Sequence, residues 1–182
     1  MAWCIFDNIH WFHFIITSLA LSSNSNSGVC YCCCNTCHYL FFFFYLFNRF
    51  AWKLSVFSIP DISGGWEVTG QTLNEDGTDR YRWNAEIDIE QTWEKICITM
   101  KTSQSESESY TATLGKRSGT KAGWILHYSY SNNPNADQFH ELQSHKGYCE
   151  LIFNKDLTQG TAAYFNSNGR RTFGQMTLAR LS

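Results

Sequence analysis

The sequence predicts an all-β fold, a small up-and-down barrel of eight strands, preceded by a hairpin of two transmembrane helices. Three observations carry that expectation. No charged residue occurs in the 41 positions between Asp7 and Arg49. Charge returns abruptly after Pro60. Beyond that point apolar and polar residues alternate in short segments separated by turn formers. Hydrocarbon offers no water to a buried charge, so the break divides a membrane part (1–50) and a juncture (51–58) from a β-rich ligand-binding domain (59–182).

Within the first part, 29–47 (VCYCCCNTCHYLFFFFYLF) is uncharged over 19 residues. At a rise of ~1.5 Å per residue it would cover most of a ~30 Å hydrocarbon layer. The stretch 2–21 is a second candidate span, with SSNSNSG as the turn between them, although Asp7, Asn8, His10 and His13 suit it only near an interface or against another helix. Arg49 and Lys53 follow the second span, and the positive-inside tendency then keeps the C-terminal domain of a multi-pass membrane protein in the cytoplasm. A signal peptide is the rival for 1–21, but Asp7 stands where a basic n-region belongs. The Cys30, Cys32, Cys33, Cys34, Cys37 and His38 cluster has no second ligand pair, so free thiols are expected rather than a metal site.

The strand period is plainest at 80–90, where Tyr81, Trp83, Ala85, Ile87 and Ile89 share one face and Arg80, Arg82, Asn84, Glu86, Asp88 and Glu90 the other. Similar segments bounded by Gly, Asn, Ser or Asp lie at 65–72, 92–102, 109–116, 123–131, 146–153, 160–166 and 171–181. Eight such strands without an intervening helix favour a meander that closes on itself and so removes its exposed edges; a β-sandwich is the structural alternative. Eight strands make a cup just wide enough to be filled by side chains or to hold one small ligand.

From Asp61 onward 12 Lys and Arg stand against 15 Asp and Glu, a net charge of −3 that argues against gripping a nucleic acid polymer. No G-x-S-x-G, H-E-x-x-H or phosphate-cradling loop occurs, so no enzyme and no cofactor are expected. A Cys149 nucleophile with His145 is conceivable, and a buried thiol beside a histidine is the commoner arrangement. The remaining candidates are Trp83, Ser105, Ser107, Tyr128, Tyr130, Asn132, Tyr164, Arg170, Arg171 and Thr172, with Tyr81, Trp124, Phe165 and Ser103 in the wider pool. Flat rings stack on bases, and the planar fork of arginine matches phosphate. Each also has a plain structural reading: strand aromatics are usually core, S-Q-S-E-S-E-S suits a polar hairpin end, and Arg170-Arg171 suits a solvated turn.

A further signal lies in motif order. F-x-x-F-A-W-K-L (47–54) is followed by P-D-I-S-G-G-W-E, I-x-Q-T-W-E-K-I, S-Q-S-E-S-E-S, L-x-Y-x-Y-x-N-x-P, H-x-G-x-x-x-L, G-x-x-x-Y-F and R-R-T-x-G. Over roughly 47–182 this resembles the CBASS antiphage effectors that join two transmembrane helices to a β-strand-rich domain, and the G-x-W near the barrel start is similar to lipocalins. The resemblance implies that a partner nucleotidyltransferase makes a cyclic oligonucleotide, that the barrel binds a cyclic dinucleotide, and that homo-oligomerisation disrupts the inner membrane. Rings such as Trp83, Tyr128, Tyr130 and Tyr164 would stack on the bases, and Arg171 with Thr172 would take a phosphate. A membrane-anchored, lipocalin-like carrier of an apolar molecule is the alternative, and a side-chain-filled structural oligomer a third.

Overall fold

A computed structural model describes residues 30–117, 123–138, 143–167 and 171–181. The chain divides into two units, 1–52 and 53–182.

In the first unit a helix, α1, runs from Cys30 to Arg49. It contains neither Gly nor Pro, and Arg49 in its last turn complements the negative end of the helix dipole. Its aromatics stack along one another at helical spacing, Phe41 on Tyr45 with centroids 6.0 Å apart and Phe43 on Phe47 at 5.3 Å. Twenty residues are long enough to span a bilayer, yet no described helix is long and apolar enough to cross a membrane. Being uncharged is not the same as being hydrophobic. Cysteine, tyrosine, Asn35, Thr36 and His38 dilute the apolar run. The expected two-helix transmembrane hairpin, and the multi-pass inner-membrane placement that rested on it, are corrected accordingly. The expected span 2–21 lies outside the described residues.

The second unit is a closed antiparallel barrel of eight strands in simple sequence order. The strands are β1 (Gly64–Leu73), β2 (Asp79–Gln91), β3 (Ile96–Lys101), β4 (Ser105–Arg117), β5 (Gly123–Pro134), β6 (His145–Phe153), β7 (Gln159–Ser167) and β8 (Phe173–Arg180). Closure is made by β1 against β8, from Trp66↔Arg180 to Leu73↔Phe173. All eight expected segments are strands. Two boundaries moved for identifiable reasons. The Thr92 hydroxyl and backbone bind Lys95 in a tight turn, so β3 starts four residues late. The serine-rich run pairs with β5 from Ser105↔Pro134 onward, so it is strand rather than hairpin end. The β1–β2 turn closes on Gly77, whose φ of 84° suits glycine and whose N–H donates to the Asn74 carbonyl.

Alternation sends one face of every strand inward, and those inward positions change character along the barrel. At one end lie Ile62, Trp66, Val68, Ile87, Ile89, Ile98, Leu126, Leu151, Phe153 and Leu178, the buried core. The segment 60–63 closes this floor. The Ile62 N–H donates to Gln91 Oε1 at 2.9 Å and Gln91 Nε2 donates to the Pro60 carbonyl at 3.0 Å. Trp66 Nε1 donates to the Ile62 carbonyl, and the Arg180 guanidinium lies over the Trp66 ring while donating to the carbonyls of Asp61 and Ser63. Arg180 is thereby satisfied by backbone oxygen rather than left as a bare buried charge.

Candidate functional site

Toward the opposite end the same strands turn polar and aromatic. Along β5 the inward series runs Leu126, Tyr128, Tyr130, Asn132; along β6, read from the floor, Leu151, Cys149, Gly147, His145; along β8, Leu178, Met176, Gly174, then Thr172 just before the strand. There the barrel holds a cavity of about 370 Å³, within the ~300–1,000 Å³ usual for small-molecule sites. The cup is therefore not plugged by its own side chains.

Two hydrogen-bonded groups organise its wall. In the first, the Thr72 hydroxyl and Tyr164 OH share a hydrogen bond at 2.8 Å, and Trp83 Nε1 donates to both oxygens, at 3.2 and 3.3 Å. The Trp83 and Tyr164 rings meet edge to face with centroids 5.8 Å apart. In the second, Tyr130 OH donates to Asn166 Oδ1 at 2.6 Å and Asn166 Nδ2 donates to Thr172 Oγ1 at 2.7 Å. The Asn166 N–H also donates to the Thr172 carbonyl, so the β7–β8 junction holds this amide in place. Tyr128 and Tyr130 sit side by side, centroids 5.9 Å apart.

Electrostatically the cavity is close to neutral. Among its described lining residues there is no Asp, Glu or Lys; Arg82 is the one with a fixed charge, and its Nε donates outward to Gln71 Oε1 at 3.0 Å. Burial, with Cys149 and Tyr130 beside it, raises the Tyr128 phenol well above its ordinary range. Burial likewise pushes the Cys149 thiol up to about 12, against the opposing hydrogen bond with Tyr128 and with the Glu150 charge adding to it. This sulfur is a thiol near neutral pH and its partner is Tyr128. His145 lies four residues along the same strand face, roughly 13 Å at ~3.3 Å per residue, so the conceivable nucleophile and base are held apart.

Of the sequence candidates, Trp83, Ser105, Tyr128, Tyr130, Asn132, Tyr164 and Thr172 line this one cavity. Ser107 is buried on the inward face of β4 but does not reach the lining. Arg171 is exposed and does not line the cavity; its neighbour Thr172 takes the inward position that alternation demands of one of the pair. Arg170 lies outside the described residues. From the wider pool Tyr81 and Ser103 join the lining, Trp124 packs against the core, and Phe165 points outward with 53% of its surface exposed. Thr72, Met100, His145, Asn166 and Met176 also line the cavity and were missed. Extending the segment 146–153 by one residue finds His145, on the face of Gly147, and alternation within 160–166 already puts Asn166 on the face of Tyr164. The others carry no signal that separates a wall from a core.

Fold and site together define a small-ligand-binding β-barrel, closed at one end and cupped at the other. Residues 57–180 match the family described as Cap15, cyclic dinucleotide receptor domain, and the chain belongs to that family. It is 37% identical over 139 residues to CD-NTase-associated protein 15 of Yersinia aleksiciae, covering 74% of this chain and 64% of that protein. It is 29% identical over 140 residues to CD-NTase-associated protein 15 of Staphylococcus schleiferi, covering 74% of this chain and 71% of that protein. The resemblance to CBASS effectors is thus upheld across the barrel.

Proposed function

We propose that this protein is a non-enzymatic CBASS effector whose barrel binds a cyclic dinucleotide supplied by a partner nucleotidyltransferase, and that capture promotes self-association and membrane disruption. The observation that carries the reading is the cup itself. Immobilised aromatic rings and paired hydroxyl and amide groups converge on one cavity, and no carboxylate among the described lining residues opposes an anion. Bases would stack on the rings, at ~1–3 kcal/mol each, while hydroxyls and amides such as Thr172, Asn132 and Ser105 meet polar edges and phosphate oxygens. Arg171, exposed beside Thr172, would add charge from outside the wall. Support for the lipid step is the run of exposed aromatics on α1, Tyr39 and Phe41 to Phe44, an apolar surface of the kind that marks contact with lipid or protein. Ligand can bias assembly only by binding the assembled state more tightly.

Titration calorimetry of the full chain with cyclic di-AMP, cyclic di-GMP and cyclic GMP–AMP, against linear dinucleotides of the same bases, tests the reading. Saturable heat with at least one cyclic compound is expected; a folded protein that gives none removes it. The apolar-carrier alternative expects fatty acid or retinoid binding instead, and the hydrogen-bonded wall around Thr72 and Asn166 argues against that.

A further inference from the structure

Three of the cavity's aromatic side chains face a glycine in register on the next strand: Trp83 faces Gly70, Tyr130 faces Gly147, and Tyr164 faces Gly174. None of these glycines has a positive φ, so backbone conformation does not require them. Space does. A Cβ on Gly70 would fall 2.1 Å from Trp83 Cε2, and one on Gly147 would fall 2.3 Å from Tyr130 Cζ and 2.8 Å from Asn166 Oδ1. A Cβ on Gly174 would meet the Gln71 carbonyl oxygen at 2.2 Å and Tyr164 OH at 2.8 Å. Real side chains do not approach so closely; each ring lies directly on bare backbone. Glycine inside a strand weakens it, and its usual reason is the close approach of another group.

We propose that Gly70, Gly147 and Gly174 are positioning residues of the ligand site: each is a seat that lets a ring lie back against the wall and keeps the cavity open. The inference rests on the receptor reading above. The polar edge of each ring is tied by Thr72 or Asn166, one face lies on glycine, and what remains is turned to the cavity. The rings are thus ordered before ligand arrives, which lowers what binding must expend on immobilising them. A methyl group in a seat would drive the ring toward the space a base would occupy. The sites therefore suit a ligand with flat rings. At Gly70 the three nearest atoms all belong to Trp83, so its effect on binding passes through that ring, while Gly147 also meets Asn166 and Gly174 the Gln71 backbone.

That dependence supplies the test, made on the full chain with whichever of cyclic di-AMP, cyclic di-GMP and cyclic GMP–AMP the unaltered protein binds. Gly147→Ala and Gly70→Ala are each expected to weaken binding at least tenfold. Gly115→Ala, whose Cβ meets Ile125 Cγ2 at an ordinary 3.5 Å, should stay within twofold. The pair Gly70→Ala with Trp83→Ala should bind no more weakly than Trp83→Ala alone, because no ring remains to displace. At Gly147 the added methyl also meets Asn166, so there Gly147→Ala is combined with Tyr130→Ala and Asn166→Ala and compared with those two without it, and the same cancellation is expected. If either single glycine variant does not fold, the combined variants, relieved of the clash, still decide. Folded single variants that bind within twofold of the unaltered protein would overturn the seats while leaving the receptor reading intact, as would losses that multiply in the combined variants. Failure of the unaltered protein to bind any of the three overturns both.

Discussion

The floor and the mouth of the barrel are built from the same strands with the same alternation, yet one end is packed and the other left hollow. At the floor, inward positions hold Trp66, Ile87, Ile98, Leu151 and Leu178, all nearly or wholly buried. Two strand turns further on they hold Trp83, Tyr130, Asn132, Tyr164 and Thr172 around a cavity. The difference lies in what each side chain meets. Aliphatic side chains and Trp66 pack on one another in the buried core, whereas Trp83, Tyr130 and Tyr164 lie on glycines of the adjacent strands, beside the cavity. The buried core is packed where the cavity is not, and the site is held by hydrogen bonds that a fully apolar core would not need.

Truncating one tryptophan at each end sets this contrast at its largest. Trp66→Ala removes a fully buried ring that packs on Phe153 and Arg180, and should destabilise the fold by about 3–5 kcal/mol in chemical denaturation, taking ligand binding with it. A smaller loss would mean that the floor is not where the fold is anchored. Trp83→Ala, on the half-buried ring at the mouth, should leave a folded barrel and lower cyclic dinucleotide affinity by about 1–3 kcal/mol, roughly 5- to 150-fold in calorimetry. A variant that unfolds outright would erase the distinction between the ends.

The smallest effect is electrostatic and belongs to the floor. Asp61 is half exposed; burial raises its pKa, but the Lys53 ammonium at 2.7 Å and the Ser63 hydroxyl and N–H outweigh that and leave it below the ordinary value. A carboxylate with a depressed folded pKa contributes stability above its unfolded value, near pH 4, and loses it as pH falls through the folded one. Asp61→Asn should therefore lower stability by less than about 1 kcal/mol at pH 7, with the gap closing on acidification toward pH 2–3 in urea titrations. A gap that is unchanged in acid would show that the ion pair is not its source.

Much of the barrel is visible before folding, because a strand's alternation is a local property of the pleat. Tyr81, Trp83, Ala85, Ile87 and Ile89 declare one face by spacing alone, and Tyr164 inward obliges Phe165 outward. The same rule limits the site. It places Thr172 inward and Arg171 outward but does not say which inward residues touch a cavity and which touch each other, so Ser107 and Met176 read alike until the strands are assembled. In α1 the lesson runs the other way. Absence of charge does not amount to hydrophobicity, and a helix with five cysteines, three tyrosines, Asn35, Thr36 and His38 is not apolar enough to cross a membrane.

The amino-acid order by itself determined the eight strands and the alternating face of 80–90, because those follow from interactions within a few residues. Tertiary structure alone decided that β1 closes on β8, that 60–63 seals one end, and that Gly70, Gly147 and Gly174 fall opposite three particular rings. Register between strands is a collective outcome of the whole sheet closing on itself. For that reason the depth of the cavity, and with it the ligand site, belongs to the assembled barrel rather than to any segment of it.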